Sequence, residues 1–336
     1  MDRITIVICN YNYERYLATA IDSALQQDYA ATHVIVIDDG STDGSRAIIE
    51  GYGDRIESVF KSNGGQVSAY NHAVEIVDAE FAIFLDSDDL LYPSAASEVM
   101  QVFGTGDWAK VQFRLDVMDS AGNTTGAYVP NSSAPRNCDT LLRGGWLYPS
   151  PPASGNAYRV SALKQVFPIP EAIADRYGAD FYAIYGTALV GPVADIPKSL
   201  GGYRVHNTKS SNVSFANSEQ INKAPKAFTM RWQILRKTAA ARLQIDLPEA
   251  FYDFSHEKAL FCSGVYHAPI ATRWRWMMRD SHDYLHTIVA NPFWSLKKKI
   301  GTLVLSCLCL VPYSPLSDFV VRYINNPLAR RRAVEQ

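Results

Sequence analysis

An α/β fold with a mostly parallel central sheet is what the first ninety residues predict, and two observations carry it. Apolar, mostly β-branched runs alternate with segments of helical periodicity, four strands in all. Each of three runs ends in a cluster of Asn or Asp, at residues 10–12, 38–39 and 86–89. Strands alternating with helices make parallel pairs with right-handed crossovers. Ligands of such sheets bind beyond the carboxyl ends of the strands, so the three clusters are expected to converge on one rim.

Ile4-Thr5-Ile6-Val7-Ile8-Cys9 is β-branched and predicts a buried strand, closed by Asn10-Tyr11-Asn12. Tyr16, Leu17, Ala20, Ile21, Ala24 and Leu25 recur at helical spacing and form one apolar face. His33–Ile37 predicts the second strand, which runs into Asp38-Asp39-Gly40-Ser41-Thr42-Asp43-Gly44. The glycines there permit tight turning, and Thr42 or Asp43 can cap a helix from Ser45 to about Glu50. A third strand near Ile56–Phe60, a loop at Asn63-Gly64-Gly65 and a helix over Gln66–Val77 follow. The fourth strand begins at Phe81 and ends in Asp86-Ser87-Asp88-Asp89.

Three carboxylates within four residues repel one another, and a divalent cation offsets them directly. Mg²⁺ and Mn²⁺ prefer carboxylate oxygens and often share them with substrate phosphates. A solvated acidic loop with Asp as a helix cap is the plainer alternative. No Gly-x-Gly-x-x-Gly follows the first strand and no Gly-x-x-x-x-Gly-Lys-Ser/Thr is present, so the common dinucleotide and P-loop modes lack support. A metal held by carboxylates is then the expected way to neutralise a diphosphate. A receiver domain also carries paired Asp after a strand, but after its first strand, whereas here the pair follows the second.

The 336 residues allow one large domain or two of ordinary size, and 47% apolar with 12% aromatic content predicts a well-packed chain. Net charge is −2, but residues 271–336 carry +6 and the preceding 270 carry −8. An acidic body argues against a nucleic-acid partner, and the basic tail points to an anionic surface. The five cysteines show no Cys-x-x-Cys and no metal spacing with His, which suits buried thiols in a reducing compartment. No signal peptide is expected, and the longest apolar run, Ile300–Val311, is too short to span a bilayer.

Taken together, Val7-Ile8-Cys9-Asn10-Tyr11-Asn12, Asp38-Asp39-Gly40-Ser41-Thr42-Asp43, Asn63-Gly64-Gly65-Gln66 with Asn71, and Leu85-Asp86-Ser87-Asp88-Asp89 resemble family 2 glycosyltransferases of the GT-A fold. The resemblance implies a Rossmann-like, mostly parallel sheet flanked by helices, and an inverting transferase using a nucleotide-diphosphate sugar with Mn²⁺ or Mg²⁺. It implies that Cys9 and Tyr11 lie along the nucleoside, with Tyr11 near the base, and that Asp39 accepts a hydrogen bond from a base N–H. An ionised Asp is a pure acceptor, suited to a uracil-type imide. Asp86 and Ser87 would face the ribose or metal-bound water, and Asp88 would ligate the metal. One departure stands out: many members carry Arg where Tyr70 precedes Asn71.

Residues 107–129 predict a hairpin-like continuation of the sheet, with a turn at Ser120–Asn123. The Pro/Ser-rich stretch Tyr148–Asn156 corresponds in the family to the segment lining the acceptor cleft, which makes Ser154, Gly155 and Asn156 candidate acceptor-binding residues. Tyr177-Gly178-Ala179-Asp180 opens a helix where the family usually has Glu-Asp; here Ala179 replaces the Glu. An inverting transfer needs one general base, and Asp180 is the candidate, with Asp175 as fallback. The alternative for Asp180 is a carboxylate stabilised by the helix dipole. A strand over Leu189–Ile196 is followed by Tyr203-Arg204-Val205-His206, similar to the Tyr-Arg-x-His that closes many such domains. His206 is placed as a metal ligand or diphosphate contact, and the polar loop 207–217 as a cover for the donor.

The expected organisation is a catalytic domain over 1–217, with a nucleotide-sugar half (1–106) and an acceptor half (107–217), then a helical region over 218–336. Helices are predicted over Pro225–Leu243 and Leu247–Ala268. Arg273–Arg279 mixes aromatic and basic residues, and Trp294 with Lys297-Lys298-Lys299 precedes the apolar run. That combination suits a segment lying on an anionic bilayer; an amphipathic helical pair packed on the protein is the alternative. The function expected is transfer from a UDP-sugar or related donor to a hydroxyl of a glycan or lipid-linked acceptor, in surface polysaccharide synthesis at the inner face of the cell membrane. Rival readings are transfer to polyprenyl phosphate, a catalytically silent nucleotide-sugar-binding regulator and, more weakly, a nucleotidyltransferase.

Overall fold

The structure, a computed structural model, describes residues 2–171, 176–206, 225–311 and 314–325. Among them are strands β1 (Ile4–Asn10), β2 (Thr32–Asp38), β3 (Glu57–Phe60), β4 (Phe81–Asp86), β5 (Leu90–Leu91), β6 (Lys110–Met118), β7 (Thr124–Val129), β8 (Asn156–Arg159) and β9 (Val193–Arg204). The helices of the sheet-bearing part are α1 (Glu14–Leu25), α2 (Ser45–Gly51), α3 (Gln66–Ile76), α4 (Ala95–Phe103), α5 (Cys138–Arg143), α6 (Val160–Val166) and α7 (Ala179–Val190). Beyond them come α8 (Pro225–Thr238), α9 (Phe254–Val265), α10 (Ile270–Arg279), α11 (His282–Val289), α12 (Leu296–Leu308) and α13 (Ser314–Asn325).

The strands form one mixed sheet in the order β3-β2-β1-β4-β8-β6-β9-β5, with β7 paired to β6. β3, β2, β1 and β4 run parallel, as the strand–helix alternation predicts. β8 is antiparallel to both β4 and β6, while β9 runs parallel to β6. The chain order reverses around β1, which has β2 on one side and β4 on the other, and a crevice opens where neighbouring crossovers leave in opposite directions. Register then places Asn10 beside Asp38 and Cys9 beside Asp86. Ile4, Ile6 and Ile8 pack with Leu17, Ala20 and Ile21 of α1, the face expected from its spacing.

By contacts the chain divides into two compact units, Met1–Arg204 with Met230–Glu249, and Val205–Thr229 with Ala250–Gln336. The expected boundary at 217 falls outside the described residues. The second unit has its own core, built on Phe261, Val265, Tyr284, Ile288 and Val321, with Phe261 and Tyr284 stacked at 4.4 Å.

Two sequence expectations need correcting. Leu189 and Val190 end helix α7 instead of starting a strand; Gly191 and Pro192 break the helix, and β9 begins at Val193. Leu189 is apolar because the helix buries it. The helix expected over Leu247–Ala268 begins only at Phe254, where the Asp253 carboxylate accepts the His256 N–H at 2.7 Å. Residues 247 and 248 are held out of it, their carbonyls taken by Arg236 Nε and Trp232 Nε1, each at 3.0 Å. The Pro225–Leu243 helix is present as α8 continued by a π turn over Ala239–Leu243.

Candidate active site

The ends of β1 and β2 are laced together. Asn10 Nδ2 donates to Asp38 Oδ1 at 2.9 Å, and Ser41 donates to the same carboxylate through N–H (3.0 Å) and hydroxyl (2.5 Å). The Asn12 N–H donates to Ser41 Oγ at 2.9 Å, and Asn12 Oδ1 accepts the Thr42 N–H at 2.7 Å. Asn12 sits at φ 57°, a left-handed conformation that Asn tolerates. The turn so fixed leaves Tyr11 42% exposed, available for a planar ligand. Desolvation and the carboxylates of Asp86 and Asp39 push the half-buried Cys9 thiol up, so it stays neutral.

Asp39 is buried in a cradle of its own. Its carboxylate accepts from Lys61 Nζ at 2.6 Å, Gly64 N–H at 2.9 Å and Gly65 N–H at 2.7 Å. A carboxylate offers about four lone-pair sites, so roughly one is left for a further donor. Sequence reasoning missed Lys61, although it directly follows β3, the strand next to β2.

The acidic cluster ends β4. The Asp89 N–H bonds the Asp86 carbonyl at 3.0 Å, which folds residues 86–89 into a turn. Asp89 is buried; its carboxylate accepts from the Ser154 hydroxyl at 2.6 Å and the Arg204 N–H at 2.8 Å. Ser154 Oγ also accepts the Asp86 N–H at 3.1 Å, so one hydroxyl braces both ends of the turn. Arg204 Nε donates to the Asp88 carbonyl at 2.7 Å, and its guanidinium lies 4.7 Å from the Tyr16 ring. Burial, then mutual repulsion, holds the carboxyls of Asp86 and Asp89 well above the usual range; Asp88 presses on both and Asp180 on Asp86. Ser87 is buried between them. Among the described residues no group of three or more His, Cys, Asp or Glu stands in metal-holding geometry. Asp86 and Asp88 still supply the hard oxygen donors that a phosphate-sharing Mg²⁺ or Mn²⁺ takes from a protein, one or two carboxylates with the remaining positions left to phosphate and water. His206 belongs to the second unit.

Asp180 occupies the first turn of α7. It lies within electrostatic reach of Asp86, Tyr70 and Tyr158, each of which it pushes upward. The start of α7 is held from α3. Gln66 Oε1 accepts from the Gly178 N–H at 2.7 Å and the Ala179 N–H at 3.1 Å, and the Gln66 N–H donates to the Arg176 carbonyl at 2.7 Å. Gly178 has φ +88°, and a Cβ there would stand 2.1 Å from Arg231 Cζ, so a guanidinium lies against it. Asn71 pins the preceding segment, bonding both the N–H and the carbonyl of Ile169 at 2.8 Å. Tyr70 is a core residue stacked on Phe84 at 4.1 Å, so position 70 packs the sheet. Asp175 and the loop 207–217 lie outside the described residues.

Ser154, Gly155 and Asn156 are buried, and they hold their loop together. Asn156 Oδ1 accepts from Lys110 Nζ at 2.8 Å and Ser150 Oγ at 3.1 Å, while its Nδ2 donates to the Pro152 carbonyl at 2.8 Å. Lys110 has no exposed surface, and burial pushes its amine down to about 7. A Cβ on Gly155 would stand 2.6 Å from Pro151 Cβ, so only glycine fits. Gln66 and Arg204 stand within motifs read from the sequence, but their contacts, like those of Lys110, were not legible there because each acts on a partner dozens of residues away.

The model of the family described as glycosyl transferase family 2 matches residues 5–167. An uncharacterized glycosyltransferase of Nostoc sp. is 35% identical over 242 residues, 69% of this chain and 74% of that protein. A teichoic acid poly(glycerol phosphate) polymerase of Staphylococcus epidermidis is 32% identical over 112 residues, 32% of this chain but only 16% of that protein. Among solved structures, S. aureus TarS 1–349 in complex with UDP superposes with a TM-score of 0.53 at 16% identity, covering 98% of this chain and 92% of that one. The same fragment in complex with UDP-GlcNAc gives 0.53 at 17% identity, with the same coverage of both chains. At such identity the likeness speaks to the fold alone.

Proposed function

The chain belongs to glycosyl transferase family 2, with a fold of GT-A type, and on that premise we propose that it is an inverting transferase moving a sugar from a nucleotide-diphosphate donor, a UDP-sugar by preference, to a hydroxyl of a glycan or lipid-linked acceptor. The observation that carries this reading is the rim at the ends of β1, β2 and β4. It holds an exposed aromatic at Tyr11, a cradled acceptor at Asp39 and a cluster of mutually repelling carboxylates at 86–89, with Asp180 in electrostatic reach. The TarS fragment is in complex with UDP in one structure and with UDP-GlcNAc in another, which supports the donor class.

In this reading Tyr11 lies against the base and the remaining lone pair of Asp39 takes a base N–H. Asp88 would hold Mn²⁺ or Mg²⁺, with Asp86 facing the ribose or metal-bound water. The metal, when bound, neutralises the charge that develops on the departing diphosphate. Asp180 takes the proton from the acceptor hydroxyl as its oxygen attacks the anomeric carbon. The new C–O bond forms on the face opposite the leaving group, and the nucleoside diphosphate departs with the electron pair of the broken bond. Ser154 and Asn156 serve the acceptor through the loop they hold, since neither side chain is exposed. A lipid-linked acceptor places the chemistry at the inner face of a membrane, with the protein attached peripherally; no helix of the described residues is long and apolar enough to cross one.

A thermal-shift panel of UDP, GDP, TDP and CMP, each with and without Mn²⁺, tests the donor site, because a ligand that binds only the folded state raises its stability. UDP stabilisation that needs Mn²⁺ and disappears in Asp88→Ala is the expected result. Asp180→Asn is expected to abolish transfer while leaving that UDP shift intact. Transfer by Asp180→Asn at a substantial fraction of the wild-type rate removes the base assignment, and it is also what a polyprenyl phosphate acceptor predicts, since an ionised phosphate needs no base.

A further inference from the structure

Helix α12 presents apolar residues on two sides. Leu303, Leu305 and Leu308 pack onto the core of the second unit, and Ser306 bonds the Tyr284 hydroxyl at 2.7 Å. On the outer side, Leu296, Ile300 and Val304 stand 72%, 53% and 54% exposed. Their spacing of four residues puts them on one stripe of the helix, which the exposed Cys307 extends. Lys297, exposed, borders the stripe, and the ammonium of Lys298, also exposed, lies 4.2 Å from the Trp294 ring at the helix start.

Helix α10 repeats the pattern. Ile270, Trp274 and Met278 are exposed at the same four-residue spacing, with Arg275 and Arg279 beside them. The adjoining, inner side is anchored by buried Arg273, which donates to the Cys309 carbonyl (3.0 Å), to Asp318 (2.8 Å) and to the Ser317 hydroxyl. The helix therefore has a fixed inner face, and its outer residues stay outside. Isolated apolar side chains on a surface need no explanation, but two helices with ordered apolar stripes and cationic borders do.

We propose that the outer stripe of α12 seats in the interface of an anionic bilayer, with that of α10 as a second apolar strip of the same kind. The inference rests on the membrane contact proposed above and assigns it to residues. Thirteen residues of helix reach about 20 Å, long enough to lie in the plane of a membrane and too short to cross it. Trp and the aliphatic stripe enter the boundary between headgroups and acyl chains, while the bordering Lys and Arg meet anionic headgroups. Charge complementarity selects the bilayer over a second copy of the chain. Residues 271–336 carry +6, and a two-fold contact through the same face brings like borders together.

The test uses the full chain and co-sedimentation with vesicles of phosphatidylcholine containing phosphatidylglycerol. Wild type is expected to bind, more weakly as salt rises, and a bimane label on Cys307 to shift to the blue on binding. Leu296→Glu/Ile300→Glu/Val304→Glu is expected to lower the vesicle partition coefficient at least tenfold. Lys297→Gln/Lys298→Gln is expected to lower it roughly fivefold per lysine at low salt. Both variants keep the UDP thermal shift of wild type, which shows that they fold and leaves the donor reading untouched. Vesicle binding by the triple variant equal to wild type overturns the surface while leaving membrane contact standing. Failure of wild type to bind at low salt overturns both. A wild-type dimer that the triple variant dissociates, with no vesicle binding by either, assigns the face to a second copy instead.

Discussion

Gln66→Ala tests whether the donor side of the site places Asp180, the proposed general base. Gln66 Oε1 is the acceptor for two N–H groups at the start of α7, those of Gly178 and Ala179, at 2.7 and 3.1 Å. The adjoining Gly64 and Gly65 N–H groups hold Asp39. Deleting the amide leaves two helix N-terminal donors to water. At roughly 0.5–1.5 kcal/mol net per hydrogen bond, stability falls by about 1–3 kcal/mol, toward the lower end because Gln66 is only half-buried. That corresponds to a few degrees in Tm. The larger effect is expected on rate. Asp180 is two residues from Gly178, and a misplacement of about 1 Å at a reacting group costs up to ~10²-fold. UDP release with a membrane-derived acceptor fraction is expected to show kcat down ten- to a hundredfold, with donor KM and the UDP thermal shift near wild type. Gln66→Glu keeps an acceptor at the same place, next to a helix start that favours negative charge, and is expected to restore most of the rate. A Gln66→Ala kcat within twofold of wild type, despite a lowered Tm, would falsify the linkage: α7 would then hold Asp180 without the amide.

Three further expectations concern stability. Lys110 is an ordinary lysine in the unfolded chain, near 10.5, and is pushed down to about 7 in the fold, so the unfolded state binds more protons between those values. Its contribution therefore improves as pH rises from about 7 to 10, by up to about 1.4 kcal/mol per pH unit, and Lys110→Met is expected to flatten that part of the urea-stability profile. Gly178→Ala forces an L-residue to φ +88° and a Cβ against Arg231, so a loss of unfolding free energy exceeding the ~1–2 kcal/mol of left-handed strain is expected by calorimetry. Gly301→Ala is the opposite case: nothing lies within 4 Å of its Cβ inside α12, and the same measurement is expected to show a gain of about 0.8–1 kcal/mol.

The sheet half of the fold was legible because each strand announces itself locally. Ile4–Cys9 is apolar but for Thr5, Phe81–Leu85 is apolar throughout, and a near-continuous apolar run is what a buried parallel strand shows. Where local pattern and tertiary context competed, the reading slipped. Leu189 and Val190 are as apolar as a strand, yet they close a helix that is buried over most of its surface. Leu247 and Pro248 carry a helix-start signature, yet Arg236 and Trp232 take their carbonyls. The Asp and Asn residues of the rim were legible for the same local reason, since they sit at strand ends. Their supports were not, because Lys61, Ser154 and Arg204 reach them across 22, 65 and 115 residues of chain, and Gln66 reaches the start of α7 across 112.

Those supports also separate the roles of the carboxylates. Asp39 has an ammonium group within 2.6 Å and two backbone donors, so its charge is offset inside the protein. Asp89 has only a hydroxyl and a backbone N–H, both neutral, and its carboxyl is held well above the usual range along with that of Asp86. A buried charge offset within the fold can stand without a ligand; a carboxyl held up by burial and by neighbouring carboxylates gains most from a cation. The diphosphate adds further negative charge to the same place, so on this reading it cannot settle against Asp86 and Asp88 unaccompanied. Nucleotide and metal should therefore bind with strong positive coupling, each lowering the other's Kd by the same factor. Titration calorimetry of UDP with and without Mn²⁺ measures that factor directly. A value near one would mean that the cluster is neutralised by protons rather than by a metal, and the assignment of Asp88 as a ligand would fall with it.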